Sequence, residues 1–152
     1  LRSPDAPVHV TLATGGSRVI VVGDPHGCRA ELELLLKKCD YSRERGDVVV
    51  LIGDLVNKGP DSAGVVRIAV DSGFHAVAGN HDFMALEQWD RWRREGELGP
   101  PAEYGPWDYV KDLREQDVEW LRRLPLTIAL PDVANTLLVH AGLVPGVPMG
   151  EQ

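Results

Sequence analysis

The stretch Val19-Ile20-Val21-Val22-Gly23-Asp24-Pro25-His26-Gly27 sets the reading of this chain. A β-branched run of strand length empties into a glycine, then Asp-x-His, then a second glycine. The same grammar returns at Val48-Val49-Val50-Leu51-Ile52-Gly53-Asp54, at Ala76-Val77-Ala78-Gly79-Asn80-His81-Asp82, and at Leu137-Leu138-Val139-His140-Ala141-Gly142. A single ending of this kind is an ordinary turn or helix cap. Four in succession point to a shared site, because neighbouring parallel strands present their carboxyl ends along one edge, where ligands of open α/β sheets bind. Asp24, His26, Asp54, Asn80, His81 and His140 are therefore expected to converge there. Carboxylate, imidazole and amide donors together suit Mn, Fe, Zn or a similar divalent ion, whereas an all-oxygen set would suit calcium.

Outward from these runs the apolar spacing turns helical. Cys28, Leu32, Leu35, Leu36 and Cys39 share one helical face, and Asp61 to Ser72, Asp82 to Arg94 and Trp107 to Leu124 carry the same period. Gly59-Pro60-Asp61-Ser62 reads as a helix start capped by Asp61 or Ser62. Glu95 to Pro106 is crowded with glycine and proline and reads as a surface loop. Further strands are expected at Val8 to Leu12, Phe74 to Ala78, Leu126 to Leu130 and Thr136 to Ala141. The alternation predicts an α/β fold, α+β in part, with a largely parallel sheet finished by an antiparallel pair.

The chain has 152 residues, which suits one domain over residues 1–152. At 43% hydrophobic and 26% charged it lies far from the composition of disordered chains. Its longest apolar run, Val48 to Ile52, falls well short of the roughly 18 residues a bilayer span needs, and no charged-then-apolar leader opens it. The expectation is a protein without a membrane partner. A net charge of -7 disfavours broad coating of nucleic acid, so positive charge for a phosphorylated ligand must be local, and a metal site supplies it. Cys28 and Cys39, about 16 Å apart along one helix, are expected to remain thiols, which favours an intracellular, cytoplasmic setting.

Taken together, the four blocks resemble the calcineurin-like metallophosphoesterases of the phosphoprotein-phosphatase type, whose pattern is GD-x-HG, GD-x-V-x-x-G, GNH-[DE] and H-[AG]-G. Within that family Gly53-Asp54-Leu55-Val56-Asn57-Lys58-Gly59-Pro60 and Val139-His140-Ala141-Gly142-Leu143-Val144-Pro145 are most similar to the diadenosine tetraphosphatases and ApaH-like phosphatases. The resemblance implies a β-sandwich flanked by helices and two divalent ions (Mn, Fe, Zn, Co or Mg, with Mn favoured in vitro). A first ion would be held by Asp24, His26 and Asp54. A second would be held by Asn80 and His140, with Asp54 shared between the two. It implies hydrolysis of phosphate esters or anhydrides by in-line attack of a hydroxide made available between the ions, with His81 as general acid and Lys58 countering phosphoryl charge.

One departure bears on substrate. The protein phosphatases carry Asp-Arg where this chain has Asn57-Lys58. Lysine is a point charge, not a bidentate fork, and Asn57, expected to accept a hydrogen bond from His81, does not stabilise an imidazolium as a carboxylate would. A nucleotide polyphosphate is therefore the expected substrate, with a capped RNA end also possible. A phosphoprotein phosphatase or a catalytically silent binding module are the alternatives. The resemblance further implies another histidine and an arginine after His140. Residues 141–152 contain neither, so the chain is expected to lack the carboxyl-terminal part of the family's sandwich. His9 is expected at the surface and His75 facing away from the cluster. Trp89, Arg91, Trp92, Arg93 and Arg94 read first as an amphipathic helix and second as a base-stacking surface.

Overall fold

The computed structural model describes residues 2–101, 103 and 105–151. Among these residues six strands form two three-stranded sheets. β1 (His9–Thr11), β5 (Thr127–Leu130) and β6 (Thr136–Val139) make one, in the order β1-β5-β6, and β2 (Val19–Val22), β3 (Val48–Leu51) and β4 (His75–Ala76) make the other, in the order β2-β3-β4. The second sheet is wholly parallel, with Val22 opposite Leu51 and Leu51 opposite Ala76, so its carboxyl ends are flush. In the first, β1 runs parallel to β5 and β6 antiparallel to it. The strand-helix alternation alone predicted one largely parallel sheet; the strands instead divide into two facing sheets, the sandwich that the family resemblance implied. The fourth motif, at the end of β6, reaches the cluster from the facing sheet.

Alternation along β3 explains the layering. Val49 and Leu51 face the helices while Val50 faces the other sheet, and all three are essentially inaccessible, so the strand reads as an unbroken apolar run. Val50 and Val77 meet Ile128 and Leu130 between the sheets. On the other face, α1 (Arg29–Lys38), α2 (Ser62–Ser72), α3 (Asn80–Glu95) and α4 (Glu115–Arg122) bury Leu32, Val65, Leu86 and Leu121 in one cluster with the inward residues of β2 and β3. Among the described residues the helices cover this face alone, so the layers run helix, sheet, sheet.

Several boundaries differ from the sequence reading by a residue or more, and three have a visible cause. Helix α3 begins at Asn80, two residues early, because the Asp82 carboxylate reaches back to accept the N–H of Gly79 at 2.9 Å. The expected helix over 107–124 is two pieces, a 3-10 turn at Asp108–Asp112 and α4, separated by extended Leu113 and Arg114. Asp117 accounts for the restart, accepting from the Arg114 N–H at 2.9 Å and from its guanidinium, which also holds Asp71. β4 is shorter than expected because Ala78 N–H turns to the carbonyl of Pro125 and leaves the ladder. Of the loop expected over 95–106, Ala102 and Tyr104 lie outside the described residues. Its flanks are pinned by Gly99 N–H on Gln88 Oε1 and Trp107 Nε1–H on the carbonyl of Pro100. Cys28 and Cys39 are free thiols at the two ends of α1. Trp89 is buried under the Arg93 guanidinium, which fits the amphipathic reading of α3. No helix among the described residues is long and apolar enough to cross a membrane.

Candidate metal centre

Two loops leaving β2 and β3 build the floor of the site. His26 N–H donates to the carbonyl of Asp54, Gly27 N–H to Leu55, Gly59 N–H to His26 and Asp61 N–H to Gly27, at 2.7–2.9 Å. These bonds hold the chain in turns that ordinary residues rarely adopt. Of the eight non-glycine residues with positive φ among those described, five lie here: Asp24 (36°), His26 (43°), Asp54 (51°), Asn57 (73°) and Lys58 (64°). Such conformations cost about 1–3 kcal/mol each and persist where surrounding contacts enforce them. Two glycines make room. A Cβ on Gly79 would stand 2.2 Å from the Asp54 nitrogen, and one on Gly53, at φ 89°, would stand 2.6 Å from His140 Nδ1.

Asp54, 5% exposed, is the centre of the arrangement and comes from the middle strand of its sheet. Its Oδ2 lies 3.4 Å from His26 Nε2, and its Oδ1 lies 3.4 Å from His140 Nε2. Each ring is turned by its other nitrogen. His26 Nδ1–H donates to the carbonyl of Val56 at 3.0 Å and His140 Nδ1–H to that of Ile52 at 2.8 Å, which leaves both Nε2 lone pairs aimed inward. Asn80 Oδ1 adds a further acceptor 3.3 Å from His140 Nε2. Acceptors facing acceptors across such distances repel one another, and a divalent cation between them satisfies them all. The donor set therefore fits divalent-metal binding.

The sequence-derived residues are gathered unequally. His26, Asp54 and His81 have ligand atoms within 4.8 Å of one another, and His140 and Asn80 join on the Oδ1 side of Asp54. Asp24 is the outlier, with a half-exposed side chain whose Oδ1 is 3.9 Å from His140 Nδ1. Lys58 Nζ donates to His26 Nε2 at 2.8 Å. His81, 4% exposed, stacks edge-on against His26 at 4.9 Å, with its Nε2 3.9 Å from Asp54 Oδ2. Burial holds its imidazole below the usual histidine range, with Asp54 opposing it.

The expected Asn57 to His81 contact exists with its polarity reversed. Asn57 Oδ1 is already engaged by the N–H of Lys58 at 2.8 Å, so the amide turns its NH2 towards His81 Nδ1, 3.2 Å away, and donates. Two further residues have roles at the site that the sequence reading did not assign. Asp82, 1% exposed, accepts from the N–H groups of Leu55 and Gly79 at 2.9 Å, tying the Asp54 turn to the start of α3. Burial, the largest influence, pushes its carboxyl up to about 7 against the pull of those two bonds. Ser62, at the first turn of α2, turns its Oγ inward to accept the Asn57 N–H, while Asp61 caps the helix. The signal for Asp82 was its place three residues after Gly79; for Ser62 there was none. Of the remaining histidines, His9 bonds Thr127 Oγ1 in the first sheet and His75 lines a separate hollow with Trp120 and Pro7. Beside Asn80 and His140 a groove of about 260 Å³ runs between Phe83, Leu126 and Val139.

The calcineurin-like phosphoesterase family matches residues 17–149. A symmetrical bis(5'-nucleosyl)-tetraphosphatase of Chromohalobacter salexigens is 36% identical over 131 residues, which is 82% of this chain and 44% of that protein. A crystal structure that carries the provisional name diadenosine tetraphosphatase superposes with a TM-score of 0.79 at 37% identity, over 97% of this chain and 60% of its own. A protein serine/threonine phosphatase of Saccharomyces cerevisiae, at 20% identity and TM-score 0.64 over 96% of this chain and 46% of its own, shares the fold. The chain spans less than half the length of the curated relative it matches.

Proposed function

This chain belongs to the calcineurin-like phosphoesterase family, and on that premise we propose that it is a two-metal hydrolase of phosphoanhydrides, with a dinucleoside polyphosphate as substrate and a capped RNA end as the nearest chemical relative. The observation that carries this is Asp54, whose two oxygens each face the inward nitrogen of a different histidine. A carboxylate so placed would serve two cations, His26 and, on the family resemblance, Asp24 holding one, and Asn80 and His140 the other. Two such ions supply an acidified water and positive charge for the phosphoryl oxygens. The candidate ions are Mn, Fe, Zn, Co and Mg, with Mn the first to supply in vitro on the family resemblance.

The residues around that pair have separate tasks. His81 presents Nε2 to the leaving oxygen. Lys58, whose Nζ lies at the site 2.8 Å from His26 Nε2, would offer a phosphoryl oxygen a point charge. Asn57 orients His81. The groove along Phe83 and Val139, opening beside Asn80 and His140, offers an apolar wall for a nucleoside. Free Cys28 and Cys39 support a cytoplasmic setting. The test is a metal-supplemented screen of dinucleoside polyphosphates, capped RNA 5′ ends, phosphopeptides and an aryl phosphate. Preferred turnover of the dinucleoside polyphosphate supports the reading; preference for the phosphopeptide, or metal binding without turnover of any substrate, overturns it.

A further inference from the structure

Helix α1 carries an apolar face that the fold covers only in part. Cys28, Leu32 and Leu35 lie at i, i+4 and i+7, with Glu31 beside them on the same side. Leu32 is buried with Ile20 and Val22 of β2, whereas Leu35, one turn on, is 39% exposed. The reason is that β2 is the edge of its sheet, paired with β3 on one side only. Beyond that edge a hollow of about 250 Å³ opens under α1, lined by Val22, Pro25, Cys28, Glu31, Leu32 and Leu35, and reaching Asp24. Asp24 Oδ1 in turn lies 3.9 Å from His140 Nδ1, and His140 borders the groove of about 260 Å³ that runs along Phe83 and Val139. Two hollows of matched size thus adjoin the donor cluster, one reached through Asp24 and the other through His140.

We propose that the hollow under α1 is a second nucleoside subsite, which takes one end of the substrate while the Phe83 groove takes the other, so that the chain grips a two-headed polyphosphate on both sides of the donor cluster. The bridging phosphates rest on the hydrolase reading above; the two heads rest on the two hollows. Val22, Pro25, Leu32 and Leu35 give the hollow apolar walls, and the two charged groups that line it, Asp24 and Glu31, are both carboxylates. Such a place repels phosphate and admits an uncharged end group. Glu31, exposed in the first turn of α1, is an acceptor for a sugar hydroxyl or a base amino group. Each hollow falls a little below the roughly 300 Å³ at which pockets for drug-sized molecules begin, which suits a base with part of its sugar and not a whole dinucleotide. The Phe83 groove supplies an aromatic face, and stacking on a ring tolerates any base. Once one head is seated the other binds intramolecularly, so a two-headed ligand gains over a single-headed one with the same phosphate chain.

Binding of methylene-bridged, non-hydrolysable analogues tests this without turnover. Calorimetric titration in excess Mg²⁺ compares a dinucleoside tetraphosphate analogue with a mononucleoside tetraphosphate analogue. The parent is expected to bind the two-headed ligand at least tenfold more tightly. Leu35→Glu puts a third carboxylate at the hollow on a residue already partly in solvent, and is expected to bring the two affinities to within about twofold of each other. Equal affinities in the parent, or a tenfold preference that survives in Leu35→Glu, overturn the proposal. Cys28, a partly exposed free thiol in the wall of the hollow, gives a second reading on the unsubstituted chain. Saturating two-headed analogue should slow its alkylation at least fivefold, with Cys39 at the other end of α1 as the internal reference. Unchanged labelling of Cys28 overturns the proposal, and so does a ligand-free dimer that Leu35→Glu separates, since a second copy would then fill the hollow. Two-headed preference and Cys28 protection without turnover of any substrate overturn the hydrolase reading and leave the subsite standing.

Discussion

Two backbone N–H groups, from Leu55 and Gly79, end on the carboxylate of Asp82, and neither has access to water there. Asp82→Ala strands both, and with each unsatisfied buried donor costing about 1–3 kcal/mol the variant should lose about 2–4 kcal/mol. Thermal unfolding should show a fall of roughly 5–15 °C for a chain of this size; an unchanged Tm would mean that water or another acceptor reaches those groups. His81 behaves differently, since its ring faces the site but is proposed as donor, not ligand. His81→Ala is expected to keep its bound metal while turnover falls about 10²- to 10⁴-fold, and equal loss of metal would reassign it as a ligand. At this scale the sequence was informative about which residues meet and silent about how. Asp24, His26, Asp54, Asn80, His81 and His140 could be named from strand endings, but the polarity of the Asn57 amide depends on a backbone N–H one residue away, and positive φ at His26 or Lys58 leaves no trace in residue type.

Elements set these side chains by their ends. The segment entering β3 turns on Asp47, which accepts from Arg18, from the N–H of Ser42 and from Arg45. Arg18 first, then the Ser42 N–H, hold its carboxyl well below the usual carboxylate range. A depressed folded pKa contributes stability that is complete above the unfolded value near 4 and is lost as pH falls below it. Asp47→Asn should therefore be less stable than the parent at pH 7, with the difference shrinking below about pH 4. Urea unfolding at a series of pH values measures this, and a constant difference down to strong acid would contradict it. Periodicity located α1, α2 and α3 to within a few residues because their buried faces repeat cleanly. It failed over 107–124, where Leu113 and Arg114 stay extended while the apolar spacing continues across them. The break comes from Arg114 bridging Asp117 and Asp71, and Asp71 is 43 residues distant in sequence.

In the whole molecule the site straddles two sheets. Asp54 and Asn80 follow strands of one, and His140 follows β6 of the other, so their distances depend on the apolar layer of Val50, Val77, Ile128 and Leu130 between them. Ile128→Ala empties part of that layer and should cost about 2–5 kcal/mol. It should also weaken the ion on the His140 side more than the ion on the His26 side, which calorimetric titration of metal into the variant resolves; equal weakening would place the sheet contact outside the site. The division into two sheets was beyond the reach of strand alternation, since β1 and β5 pair across 118 residues and no local pattern announces such a partner. The central claim is that Asp54 is shared by two cations. Elemental analysis after equilibrium dialysis against Mn²⁺ tests it most directly: the account predicts two equivalents per chain in the parent and no more than one in Asp54→Asn, whereas two full equivalents in Asp54→Asn would contradict it.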